Sequence, residues 1–163
     1  MRHHFEALQK TRANHVPLSP LSFLRRAECL HGSRTAVIYG AIRRSWAETS
    51  ARIRAVAGGL VALGVQKGDT VSVLSPNIPE LFELHFALPL TGAVLNTLNT
   101  RLEPGTIAFI LDHADTKLVI VDRELVPLLS KAFDILGRTL PVVEIADPNA
   151  PGESLGGTID FFC

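Results

Sequence analysis

The chain has 163 residues, enough for one domain with a hydrophobic core, and its 16 basic and 16 acidic side chains give a formal net charge of zero. This balance, without a basic stripe, argues against a nucleic-acid-binding surface, and no apolar run is long enough to cross a bilayer. The two cysteines, Cys29 and Cys163, argue against a disulfide framework or a zinc site. They favour an intracellular, reducing setting, and we predict the cytoplasm for this chain.

Composition divides the chain into three predicted segments. Residues 1–16 are predicted to form a loose polar arm, residues 17–146 an α/β domain, and residues 147–163 a terminal loop rich in proline and glycine. The arm lacks the apolar core of a signal peptide. Its pair His3 and His4 offers too few donors for a metal site, so no metal ligand is predicted.

The domain opens with a predicted short helix that begins at Ser19 or Ser22 and ends at Leu30. A β-hairpin follows, with strands at residues 35–39 and 42–44 around a turn at Gly40. The β-branched and aromatic side chains of the first strand favour this extended structure.

A second helix has signals at both ends. Ser45 and Glu48 form a capping-box pattern, and Gly64 suits the left-handed position after the last turn. An apolar stripe at three- and four-residue steps should face the sheet: Trp46, Thr49, Ile53, Val56, Leu60 and Leu63. Four arginines beside it are expected to be solvated: Arg43, Arg44, Arg52 and Arg54.

The stretch from Val71 to Leu102 predicts a strand, a buried helix and a second, parallel strand. Asn77 is predicted to cap the helix together with Glu80, and Gly92 to end it. Thr70 and Ser72 are interpreted as the outward face of the first strand. Helical signals near residues 104–111 and 125–136 then alternate with apolar strands at residues 118–121 and 142–145. This alternation predicts a doubly wound, mostly parallel α/β sheet with flanking helices, preceded by the small hairpin and helix.

Ordered sequence words over residues 17–143 resemble a known family. They include Ser75-Pro76-Asn77, Glu83-Leu84-His85-Phe86-Ala87, Gly92-Ala93-Val94 and Asn99-Thr100-Arg101-Leu102. The series resembles the N-terminal region of AMP-forming acyl-activating enzymes, the superfamily that contains acyl-CoA synthetases. The wording is most similar to plant enzymes that act on short or medium fatty acids or on benzoate.

This resemblance implies a two-step reaction with ATP, Mg²⁺ and coenzyme A, in which a carboxylate becomes an acyl-adenylate and then an acyl-CoA thioester. The superfamily uses a Ser/Thr/Gly-rich phosphate loop that ends in lysine. Here Lys10, Lys67, Lys117 and Lys131 are the only lysines, and none follows such a loop. No catalytic, cofactor-binding or metal-binding residue is therefore assigned, and we expect the chain to be an inactive fragment of a longer ligase.

Polar residues at the carboxyl ends of predicted strands are the candidates for a ligand cleft, because parallel sheets bind ligands there. They are Ser75, Asn77, Asn96, Asn99, Thr100, Arg101 and Asp122. Turn and cap chemistry explains the same residue types, and we favour that interpretation. His85 is interpreted as a packed or partly exposed helix residue rather than a base, since no orienting partner lies at a helical step.

Two further interpretations stay open beside the ligase fragment. One is a non-catalytic truncated paralogue or splice product that acts as an interaction module, and the other is a small flavodoxin-like nucleotide-binding domain, which the missing glycine-rich loop disfavours. We also predict self-association through apolar surface that later segments would cover in a longer relative. The carboxylic acid substrate, and a peroxisomal address, would belong to such full-length relatives.

Overall fold

The computed structural model describes residues 11, 13, 15, 16, 18–147, 154, 159 and 160. The helices and strands follow one another as α1 (Pro20–His31), β1 (Thr35–Tyr39), β2 (Ile42–Ser45), α2 (Trp46–Ala62), β3 (Thr70–Leu74), α3 (Pro79–Thr91), β4 (Val94–Leu98), α4 (Pro104–His113), β5 (Thr116–Asp122), α5 (Val126–Leu136), β6 (Val142–Ile145) and β7 (Ile159–Asp160). A 3-10 turn, Arg123–Leu125, joins β5 to α5. The arm with His3 and His4, and most of residues 148–163, lie outside the described residues.

Five parallel strands form the main sheet, in the order β4-β3-β5-β6-β7. The strand β3 lies between β4 and β5, and Val71 is in register with Leu95 of β4 and with Leu118 of β5. The chain leaves β3 through α3 to reach β4, and then crosses back through α4 to β5. The antiparallel hairpin β1-β2 is a separate two-stranded sheet. The predicted parallel sheet with a preceding hairpin is therefore confirmed.

Two apolar layers cover the sheet. Side chains of α1, α2 and α3 pack on one face around Leu60 and Leu84, and those of α4 and α5 pack on the other face around Leu111 and Leu129. All four of these leucines are fully buried. Because helices cover both faces, the strands β3 and β5 are apolar on both sides, as expected for a doubly wound sheet.

The predicted ends of α2 are confirmed. The Ser45 side chain accepts a hydrogen bond from the backbone of Glu48, and the Glu48 carboxylate accepts one from the Ser45 N–H. Gly64 adopts a φ of 89°, which lets the N–H of Val65 bond to the carbonyl of Leu60. Leu63 differs from its prediction, because it lies at the helix end and is partly exposed.

Two local predictions are wrong. Asn77 does not cap α3, since Pro79 is its first residue and Ile78 takes the cap position without a side-chain bond. Ser72 faces inward, where its hydroxyl lies 2.7 Å from that of Thr116. Of the two predicted starts of the first helix, Ser19 is confirmed, because its side chain accepts from the backbone of the second helical residue, and Ser22 lies within the helix. No described helix combines the length and the apolar character that a membrane span requires.

Candidate functional site

A polar cleft lies where β3 and β4 end. It has a volume of about 540 Å³ and is lined by both strand-to-helix loops: Ser75, Pro76, Asn77, Leu81, His85, Thr97, Leu98, Asn99 and Thr100. Four of the seven candidates from the strand ends, namely Ser75, Asn77, Asn99 and Thr100, are thus brought together. Neutral hydroxyl and amide groups dominate its walls, so the cleft can offer hydrogen bonds to a polar ligand but little fixed charge.

An apolar cleft adjoins the polar one. Its volume is about 640 Å³, and it lies between the start of α1 and one side of α3, lined by Pro20, Asn77, Ile78, Leu81, Phe82, His85 and Phe86. Asn77, Leu81 and His85 border both clefts. The two spaces therefore form one depression with a polar and an apolar end, the division of surface that ligand sites for small molecules usually show.

His85 stands on the shared border of the two clefts. Its Nδ1 lies 2.8 Å from the carbonyl oxygen of Leu81, one helical turn earlier, and the residue is exposed. If Nδ1 carries the proton in that contact, Nε2 of the neutral imidazole can accept a hydrogen bond in the cleft. The prediction of a partly exposed helix residue fits this position, although its place between two clefts could not be deduced from helical spacing.

The other three candidates lie elsewhere or serve local structure. The Asn96 side chain donates to the hydroxyl of Ser72 within the sheet. The Arg101 backbone N–H bonds to the side chain of Asn99, which is a turn contact, and the Arg101 side chain is exposed. Asp122 ends β5 and caps the 3-10 turn by accepting from the N–H of Glu124. Turn and cap chemistry thus explains Arg101 and Asp122, and a hydrogen bond within the sheet explains Asn96.

Asp122 is nevertheless an unusual group. It is fully buried, and its second carboxylate oxygen, Oδ2, has no hydrogen-bond partner. Burial raises the pKa of Asp122 above its usual range, and the nearby carboxylates of Asp147 and Glu124 add to the effect. Asp147 is itself tied to the hairpin, because the Tyr39 hydroxyl donates to it. The carboxyl edge of β5 therefore concentrates negative charge that favours a bound proton.

A buried charge cluster, which sequence reasoning missed, holds α3 in place. The Glu83 carboxylate is fully buried, and its Oε1 accepts from Arg44 of the hairpin at 3.0 Å and from Arg52 of α2 at 2.7 Å. Glu80 joins the same two guanidiniums more loosely, at 3.9 and 3.6 Å. The prediction that Arg44 and Arg52 are solvated is thus wrong, because their long side chains reach a carboxylate that lies more than 30 residues away in sequence.

An aromatic series connects this cluster to the apolar cleft. Trp46 of α2 packs against Phe82 with ring centroids 6.4 Å apart, and Phe82 makes an edge contact with Phe86 at 5.3 Å. Both phenylalanines line the apolar cleft. The position of the cleft wall therefore depends on how α3 is held by the hairpin and by α2.

The described residues do not fit the phosphates of a nucleotide. The polar cleft has no lysine or arginine in its lining, and no described strand leads into a glycine-rich loop followed by lysine. Nor does any group of three potential metal donors occur within the described part of the chain. Hydrogen bonding and apolar contact are what these clefts can supply.

Comparison with known proteins assigns the family. The model of the AMP-binding enzyme family matches residues 23–156. The trans-cinnamate:CoA ligase of Petunia hybrida is 47% identical over 134 residues, which are 82% of this chain and 24% of that protein. The benzoate–CoA ligase of Arabidopsis thaliana is 40% identical over 93% of this chain and 27% of its own length. The chain thus spans about a quarter of the length of these curated relatives.

Solved structures agree with this assignment. The anthranilate CoA ligase AuaEII, in complex with anthranoyl-AMP, superposes with a TM-score of 0.80 at 23% identity, over 93% of this chain and 29% of that one, which shows the shared fold. The N-terminal domain of FACL13 from Mycobacterium tuberculosis has a TM-score of 0.64 at 31% identity, over 67% of this chain and 28% of that one. Enzymes of this family use ATP, Mg²⁺ and coenzyme A. The chain belongs to the AMP-binding enzyme family and corresponds to part of an acyl-activating enzyme.

Proposed function

We propose that the chain is the scaffold segment of an acid–CoA ligase that activates a fatty or aromatic carboxylate through an acyl-adenylate. The observation that carries this proposal is the joined pair of clefts at the carboxyl ends of β3 and β4, in a chain of this family. The segment contributes one wall of the acyl and coenzyme A side of the cleft. Adenylation is carried out by residues of later segments.

The division of labour follows from the chemistry of the reaction. Transfer of the adenylyl group develops charge on phosphate oxygens, which needs positioned cations and backbone donors. The polar cleft supplies neutral groups such as Asn77, Asn99 and Thr100 instead. ATP, Mg²⁺ and the thiol of coenzyme A are therefore bound by the remainder of the enzyme, and this chain orients the organic part of the reactants. Relatives named for cinnamate, butyrate and benzoate support a small apolar acid as the substrate.

The first test measures the isolated chain. We expect no acid-dependent release of pyrophosphate and no acyl-CoA when the purified, folded chain is incubated with ATP, Mg²⁺, coenzyme A and a panel of butyrate, benzoate and cinnamate. Circular dichroism must show that the same sample is folded. Acid-dependent pyrophosphate above the blank would contradict the assignment of chemistry to other segments.

The transcript sequence distinguishes the ligase segment from the alternative, a non-catalytic interaction module. We expect the reading frame beyond Cys163 to continue into a Ser/Thr/Gly-rich loop that ends in lysine. A genuine stop codon there would favour the module. We further propose the cytoplasm for the chain itself and the peroxisome for full-length relatives; four of the relatives are named peroxisomal, which supports the second part. A fluorescent fusion expressed at native level tests this proposal.

A further inference from the structure

The exposed face of α1 combines large apolar side chains with arginines. Phe23 and Leu30 are each 62% exposed. Because they are seven residues apart, they lie on one stripe of the helix. Arg26 is exposed between them, and Arg25 is exposed about 100° further around the helix. Leu24 is the buried residue of α1, so the stripe points away from the core. Neighbouring exposed apolar side chains on one stripe of a helix are typical of an interaction surface, whereas scattered single ones are not.

The charge around this face is positive although the whole chain is neutral. From the start of α1 to Arg34 the sequence contains one acid, Glu28, against three arginines: Arg25, Arg26 and Arg34. Glu28 does not offset the cations of the exposed face, because Arg54 of α2 holds its carboxylate through two hydrogen bonds of 2.9 Å and lowers its pKa. Neither Arg25 nor Arg26 has an ion-pair partner in the described part of the chain.

Apolar exposure continues next to the helix. Leu18, directly before the Ser19 cap, is 93% exposed, and Val16 is 77% exposed. Arg34, just after the helix, is exposed as well. A helix that mixes exposed phenylalanine and leucine with unpaired arginines, and shows no acid on that face, has the composition of a helix that lies in a membrane interface. The arginines attract anionic headgroups, while the apolar side chains enter the acyl boundary.

We propose that the exposed side of α1, which carries Phe23, Arg26 and Leu30 with Arg25 at its other edge, docks together with the preceding Leu18 on the surface of an anionic lipid bilayer. A nucleic acid would match the charge but would leave Phe23 and Leu30 without apolar contact. A second copy of the chain would bring the same cations together and repel them. An anionic bilayer satisfies both kinds of side chain at once. The proposal is independent of the ligase activity, because none of these residues lines either cleft. Pro20 of the same helix does line the apolar cleft, but it is not part of the proposed face.

The test is sedimentation of the full chain with vesicles. We expect the chain to bind phosphatidylcholine vesicles that contain phosphatidylserine, and to bind pure phosphatidylcholine vesicles about tenfold or more weakly. The double variant Arg25→Gln/Arg26→Gln should lose this preference and its dependence on salt. The double variant Phe23→Ser/Leu30→Ser should lose about tenfold or more in binding to both kinds of vesicle.

The matched control is Phe109→Ser. Phe109 is 66% exposed on α4, which covers the opposite face of the sheet, so this variant should bind vesicles like the wild type. Thermal unfolding of each variant shows whether it is folded. Equal loss of binding in the control and in the α1 variants would overturn the proposal, and so would equal binding to neutral and anionic vesicles. Loss of a dimer by the α1 variants in ultracentrifugation, without any vesicle binding of the wild type, would instead identify a second copy as the occupant.

Discussion

Removal of the Glu83 carboxylate tests whether the buried charge cluster holds α3 against the hairpin and α2. Glu83 is fully buried, and Glu83→Ala deletes two charge-assisted hydrogen bonds, from Arg44 at 3.0 Å and from Arg52 at 2.7 Å. The Arg44 side chain is only 17% exposed, so it loses its main partner without regaining full hydration. Breaking a buried ion pair in this way costs about 3–5 kcal/mol.

The expected value lies at the low end of that range. Arg52 is 31% exposed and can turn toward water, and Glu80 remains within 3.9 Å of Arg44 as a partial substitute. We therefore expect Glu83→Ala to lower the free energy of unfolding by about 3 kcal/mol. Glu83→Gln keeps the volume and should cost less, because the amide oxygen can still accept from one guanidinium.

The assay is urea unfolding followed by the fluorescence of Trp46, the single tryptophan of the chain. The matched control is Arg54→Ala, which breaks the exposed pair with Glu28 and should cost about 0.5 kcal/mol or less. Equal shifts of the midpoint in Glu83→Ala and Arg54→Ala would refute the inference that the cluster stabilises α3.

Four further outcomes are expected. Leu60→Asp should destabilise the chain by several kcal/mol, because it buries an unpaired charge. Val61→Asp, at the neighbouring position that is 57% exposed, should cost under about 0.5 kcal/mol. Equal urea midpoints of the two variants would disprove the burial of the Leu60 face of α2. Because the pKa of Asp122 is raised, the folded state holds this proton more tightly than the unfolded state, so stability falls as pH rises above the ordinary aspartate pKa of 3.8. Asp122→Asn should remove that fall when melting temperatures are measured against pH. Gly92→Ala should destabilise the chain by about 1 kcal/mol or more, since φ is 80° there and the new Cβ would lie 3.0 Å from the Lys67 side chain. Gly58→Ala, in an open helical position, should stabilise it by about 1 kcal/mol. Melting temperatures that move in the same direction in the two variants would contradict this. The isolated chain should self-associate and bind a hydrophobic dye, and a monodisperse monomer in light scattering without dye binding would rule this out.

Local sequence signals predicted the elements of this fold well. The Ser45 and Glu48 box, and the glycines after α2 and α3, act within a few residues of their own backbone, so their effect can be deduced from spacing alone. The alternation of apolar strands with helices then predicted the parallel sheet, since parallel strands need a crossover connection.

Prediction failed where an interaction joins distant parts of the chain. From sequence alone Glu83 has the pattern of a solvated helix residue, because no periodicity predicts its contact with Arg44 of the hairpin. Ser72 has the pattern of an outward strand residue, but in the fold it is buried and bonds to side chains of the two neighbouring strands, Thr116 of β5 and Asn96 of β4. The cap of α3 moved to Ile78 because Pro79 fixes the first helical residue, a geometric effect stronger than the preference of Asn77.

The cleft residues were predicted as a set but not as a site. Strand ends in a parallel sheet indicated Ser75, Asn77, Asn99 and Thr100, yet the same argument also selected Asn96 and Asp122, which serve packing and a turn. The apolar end of the depression arises from the side of α3 that faces α1, and its existence depends on tertiary packing of Phe82 and Phe86. Sequence spacing alone could not show that this side of the helix borders an open space.

The most direct measurement for the scaffold role is the activity of a chimera. In it, residues 23–156 of this chain replace the matching segment of the Petunia hybrida trans-cinnamate:CoA ligase, and cinnamate-dependent pyrophosphate release is compared with that of the unmodified ligase. The account predicts a folded chimera that forms cinnamoyl-CoA, because the catalytic groups come from the recipient and this chain supplies the wall of the cleft. A chimera that folds and unfolds cooperatively but releases no pyrophosphate would contradict the claim that this segment is a working part of an acid–CoA ligase.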